Sequence, residues 1–106
     1  MHGPHDLDSV NLYVTQATSG AYILTSDAKT AHYVGRSDVD LAQEIKASAR
    51  KGKYTHFWFE YTTSPMRAFK LECEWYHKYA PPDNSIHPAV PWGANWRCPV
   101  QGCPWS

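Results

Sequence analysis

The chain lacks a long apolar run. Nowhere does it approach the roughly 20 consecutive apolar residues of a membrane-spanning helix, and no charged segment followed by an apolar core opens it like a secretory signal. A soluble, cytoplasmic protein with no membrane partner is the expectation. Cysteine is scarce and odd in number, at three, which argues against a secreted disulfide framework and leaves reduced thiols or a metal site. An excess of either charge is also missing: ten Lys/Arg balance ten Asp/Glu, so no overall field draws the chain to nucleic acid. The one basic group, Lys46, Arg50, Lys51 and Lys53, reads as a solvated helix end. At 106 residues there is room for one domain and no second catalytic unit.

Aromatics and prolines are plentiful, and they divide the chain. Six of the eight prolines follow residue 80. Residues 1–19 form an N-terminal extension, 20–84 a regular domain, and 85–106 a Pro/Trp-rich tail. Within the domain, 20–25 and 31–34 are rich in β-branched and aromatic residues around a polar connection, which predicts a hairpin. Ser37 or Asp38 is placed to cap a helix over about 39–51, with Leu41, Ile45 and Ala49 on one face and Gly52 ending it. The aromatic run 54–61 predicts a strand. Ser64-Pro65 supplies the cap and first residue of a second helix to about Tyr79, with Ala68, Leu71, Trp75 and Tyr79 as its core stripe. The expected fold is α+β: a small three-stranded antiparallel sheet flanked by helices (β-β-α-β-α), followed by an ordered coil packed on the domain through its tryptophans.

Two strings at the front of the domain carry chemistry: Gly20-Ala21-Tyr22, and Tyr33-Val34-Gly35 followed by Arg36. Further along, Glu72 stands four residues after Ala68, and Asn84 twelve after Glu72. In this order and spacing the residues resemble the GIY-YIG nuclease superfamily over residues 20–84. The resemblance implies an endonuclease that hydrolyses nucleic-acid phosphodiester bonds, DNA ahead of RNA. It makes Tyr22, Tyr33, Arg36, Glu72 and Asn84 the catalytic set: either tyrosine orienting or deprotonating water, Glu72 binding Mg²⁺ or Mn²⁺, Arg36 contacting phosphate, and Asn84 positioning a loop or metal-site water. Such a reaction needs an activated water and positive charge near the pentavalent phosphorane.

The chain departs from that pattern on the first helix. Three residues after Asp40-Leu41 the family carries an arginine, and here Glu44 stands there. The histidine or tyrosine that often follows one turn later is replaced by Ser48. A carboxylate repels phosphate, so the expectation is a weakened enzyme, or one in which Arg36, Lys46 or Arg50 takes over. The alternatives are a catalytically inactive nucleic-acid-binding module and a zinc-stabilised protein-interaction domain with a partner protein on its exposed tryptophans.

The zinc expectation has its own residues. Cys73 and His77 share a helix face, and the tail adds His87, Cys98 and Cys103. Cys73, His77, His87 and Cys98 make a soft tetrahedral set suited to structural zinc. The competing reading leaves Cys73 as a small core residue and the tail held by Trp92 and Trp96 alone.

Overall fold

The computed structural model describes residues 1–106. Its elements are β1 (His2–Asp6), a single 3-10 turn (Leu7–Ser9), α1 (Val10–Tyr13), β2 (Gly20–Thr25), β3 (Tyr33–Ser37), α2 (Leu41–Ala49), β4 (His56–Tyr61) and α3 (Pro65–Tyr79). The strands form one antiparallel sheet in the order β1-β4-β2-β3. The α+β class is as expected, with four strands in place of three. The additional strand comes from the head of the chain, whose Gly3 and Pro4 hide it from a propensity reading. Pro4 is tolerated because β1 is an edge strand and needs no ladder on its outer side.

β2 is buried along its whole length because both faces of the sheet are covered. On one face Tyr22 and Leu24 join Phe57 and Phe59 of β4 under Val10, Val14, Leu41 and Ile45. On the other, Ala21, Ile23 and Val34 pack against Trp75, with Leu71 and Trp58 at the margin. The period-2 alternation of a strand assigns each side chain to its layer.

Local signals fix the helix ends. Asp40 caps α2 by accepting from the Gln43 amide at 3.3 Å. Ser37, expected as a cap, instead accepts the Val39 and Asp40 amides in the turn before it. Ser64 caps α3 through the Arg67 amide at 3.2 Å, with Pro65 at the first helical position as expected. α3 is buried on two sides. Trp75, with Leu71 at its margin, faces the sheet, while Phe69 and Cys73 face Cys98, Cys103, Val90 and Trp96 of the tail. Tyr79, placed on the stripe by periodicity, is exposed at the helix end.

The tail packs on the domain, though not through every tryptophan. Trp96 lies 5.8 Å from the Phe69 ring. Trp92 is fully exposed, since it occupies the tip of a turn closed by the Ala94 amide on the Pro91 carbonyl at 3.0 Å. Trp105 is half exposed and stacks on His87 at 5.2 Å. None of the helices is long and apolar enough to cross a membrane.

Candidate active site

The register of β2 on β3 builds the site. Tyr22 pairs directly with Gly35, and directly opposed residues on one face sit in side-chain contact. The Tyr22 ring crosses the β3 backbone at that point, so a Cβ at residue 35 would overlap the phenol ring and its hydroxyl. The glycine of the Tyr-Val-Gly string is therefore steric in origin. Without it the phenol could not reach the sheet edge.

The Tyr22 hydroxyl shares a hydrogen bond with Ser48 Oγ on α2. Ser48 continues the buried face of Leu41 and Ile45, a polar residue on an apolar stripe. Periodicity places Ala49 on that stripe, and the structure buries Ser48 there instead, with Ala49 only half-buried. Burial pushes the Tyr22 hydroxyl far above the usual phenol range, against the opposing effect of Ser48. Tyr33, half-buried with its ring centroid 6.3 Å from that of Tyr22, is also raised by burial, with Glu72 and Glu44 adding to the effect. Both phenols stay neutral near pH 7, which suits them to orienting water or phosphate oxygen by hydrogen bonding and not to deprotonating it.

Arg36 and Glu72 meet on the α3 side of the edge strand. Arg36 Nη1 donates to Glu72 Oε1 at 2.8 Å and Arg36 Nε to Asp38 Oδ1 at 3.1 Å, while its guanidinium lies 5.3 Å from the Phe69 ring centroid. Only 14% of the Arg36 side chain and 11% of the Glu72 side chain are accessible, so each charge depends on the other. Burial raises the Glu72 carboxyl above its ordinary range, and Arg36 pulls in the opposite direction. Asn84 supports the strand from outside: its Oδ1 accepts the Val34 amide at 2.8 Å and its Nδ2 donates to the Val34 carbonyl at 2.9 Å. The carboxamide acts on the backbone, a different role from positioning a metal-site water.

Tyr22, Tyr33, Arg36, Glu72 and Asn84, from β2, β3, α3 and the following loop, line one cavity of about 410 Å³. Ser37, Asp38, Glu44 and tail residues Ile86, His87, Pro88 and Ala89 also form part of its wall. Lys46 and Arg50 are not part of it, which leaves Arg36 as the one Lys or Arg there, facing the carboxylates of Asp38, Glu44 and Glu72. Asp38 and Glu72 both bond Arg36, which leaves Glu44 as the carboxylate of the three without a cation beside it. Glu72 is the buried carboxylate of the three. A single protein ligand fits the way Mg²⁺ is held, through one or two carboxylates with most of its waters retained.

A second polar cluster lies beyond the cavity wall. One donor atom from each of His77, His87, Cys98 and Cys103 falls within 4.8 Å of the others, a grouping that can hold a metal ion. Cys103 thus takes the place expected of Cys73. Cys73 is fully buried beside Phe69, Cys98 and Cys103, and burial pushes its thiol well above the ordinary range. Sharing a helix face with His77 did not bring the two together, because His77 stands exposed at the end of α3 while Cys73 points under the tail. Spacing along the tail hid the role of Cys103, since folding brings it back across a tight turn. No family model, curated protein or solved structure matches this chain.

Proposed function

We propose that the cavity is the active site of a divalent-metal-dependent phosphodiesterase of the GIY-YIG kind, acting on nucleic acid and on DNA ahead of RNA. The observation that carries the reading is convergence: five residues selected on sequence spacing line one cavity. Glu72 would hold Mg²⁺ or Mn²⁺ through a carboxylate of which Arg36 occupies one oxygen. The cation would supply Lewis-acid charge and lower the pKa of a bound water. Tyr33 and Tyr22 orient the reacting groups by hydrogen bonding, and Arg36 faces phosphate once Glu72 is engaged elsewhere. Glu44 keeps the activity low by adding negative charge where the phosphorane develops.

Plasmid nicking in Mg²⁺ or Mn²⁺ tests this. Glu72→Ala should lower the rate about 10²- to 10³-fold, and Glu44→Arg should raise it. Wild-type nicking no faster than Glu72→Ala would overturn the reading. A second reading, an inactive nucleic-acid-binding module, is favoured by the two carboxylates that already hold Arg36. It predicts salt-sensitive DNA binding with no cleavage. The fully exposed Trp92 supports a third, a protein-interaction surface on a tail held by structural zinc.

A further inference from the structure

We infer that His77, His87, Cys98 and Cys103 bind one zinc ion as a clasp, and that this clasp holds the tail segment forming one wall of the cavity. Zinc bonds of about 2.3 Å to sulfur and 2.0 Å to nitrogen place tetrahedral ligands about 3.5 Å apart. His87 Nε2 and Cys103 Sγ already stand 3.4 Å apart, and all four donors lie within 4.8 Å. Closing the remainder takes side-chain movements of about 1 Å.

The surroundings are those of metal ligands. His87 Nδ1 lies 2.9 Å from the Pro88 carbonyl oxygen, a contact that places the ring proton on Nδ1 and leaves Nε2 as the free donor turned toward Cys103. Trp105 stacks on the same ring within 9° of parallel and limits its rotation. Both cysteines precede a proline, and Cys103 opens a turn closed by the Ser106 amide on its carbonyl at 3.0 Å. Proline has no N–H to offer, and at Cys103 the amide two residues on donates to the sulfur, Trp105 N–H to Cys103 Sγ at 3.4 Å. That amide fixes the direction in which the Cys103 sulfur points, as the outer contacts of a metal ligand do. The turn between them is closed by the Cys103 amide on the Val100 carbonyl at 3.2 Å, with Gly102 at φ +86°. The Cys98 amide on the Trp105 carbonyl at 2.9 Å draws the two turns together. Two imidazoles and two thiolates select zinc over Mg²⁺ or Ca²⁺.

The link to the cavity is covalent geometry. His87 lines the cavity and belongs to the cluster, and its neighbours Ile86, Pro88 and Ala89 have no regular secondary structure to fix them. An ion on His87 therefore fixes the wall. The clasp stands independently of what the cavity does, and only its effect on catalysis rests on the phosphodiesterase reading.

The test uses the full chain, stripped with chelator and titrated with Co²⁺, then with Zn²⁺. Expected are thiolate-to-cobalt charge transfer and tetrahedral visible bands saturating at about one ion per chain, displaced by zinc. Cys98→Ala and Cys103→Ala should abolish the bands, and Cys73→Ala should leave them at full stoichiometry. Hydrogen exchange, which needs no variant, should show amides of residues 84–106 slowed more than about tenfold by zinc, with β2 and β4 unchanged. A stoichiometry near zero would overturn the proposal, as would loss of binding in Cys73→Ala with retention in Cys103→Ala. Zinc binding without nicking would sink the phosphodiesterase alone, and nicking without zinc binding would sink the clasp alone.

Discussion

The cavity and the tail cluster are both polar groups of about five side chains, yet they are built by opposite means. The cavity rests on β2, β3 and α3, and its key groups already have protein partners: Tyr22 with Ser48, Arg36 with Glu72 and Asp38, Asn84 with Val34. The tail cluster rests on a helix end and two turns, and His77 has no hydrogen bond or ion pair to hold it. The contrast teaches that strands and helices tie a site's groups to partners far along the chain, whereas a tail site is ordered by short bonds within its own turns.

Variants in the cavity should therefore act on global stability and leave metal stoichiometry at the tail unchanged. The largest effect is expected at Arg36. Arg36→Met leaves the Glu72 carboxylate buried without its partner and should cost about 4 kcal/mol in urea unfolding. Adding Glu72→Gln should recover most of that loss, and a strictly additive double variant would show that the pair does not interact. Next comes Gly35→Ala, at about 3 kcal/mol, because the new Cβ meets a Tyr22 ring that is 1% exposed and has nowhere to move. In a Tyr22→Leu background the same change should cost about 1 kcal/mol. An undiminished cost there would place the strain elsewhere.

Asn84→Ala is expected to cost about 2 kcal/mol through two lost hydrogen bonds to a strand backbone. It sits where the two regions join, so it should also speed hydrogen exchange in the tail, unlike Gly35→Ala. Equal effects of the two on tail exchange would erase the distinction between the regions. The smallest effect is a slope with pH. Burial raises the folded-state pKa of Glu72, so the stability of its neutral form is fully present below the ordinary carboxylate range and is lost as pH rises through the raised value. Wild type should lose stability relative to Glu72→Gln across that window. A slope of opposite sign would mean that Arg36 outweighs burial.

Much of the domain is legible because its signals are local. Gly20–Thr25 and Pro65–Tyr79 match their predicted bounds, the latter through a Ser-Pro cap that acts within one turn. Tyr33–Ser37 lies later than the expected 31–34, because Gly35 carries no strand propensity and only its register against Tyr22 carries the strand past it. β1 was invisible for the reason that makes it an edge: Gly3 and Pro4 carry no strand propensity, and only pairing with β4 makes the segment extended. Spacing placed Tyr22, Tyr33, Arg36, Glu72 and Asn84 in one set. It could not show that Arg36 and Glu72 bind each other, that Ser48 holds the buried phenol, or that Cys103 displaces Cys73 beside His77. Those pairings are long-range, and no periodicity encodes them.

The Asn84 carboxamide has a consequence for how molecules of this protein meet one another. β3 is an outer strand of the sheet, and unpaired N–H and C=O groups on such a strand are a template for another chain's strand. The Asp83 amide on the His32 carbonyl at 2.9 Å and Asn84 on both backbone groups of Val34 occupy that row near its start. At the opposite margin, Pro4 interrupts the ladder of β1. One side chain on one margin and one imino acid on the other thus guard the sheet against edge-to-edge association, and freeing Asn84 would make the protein prone to self-assembly.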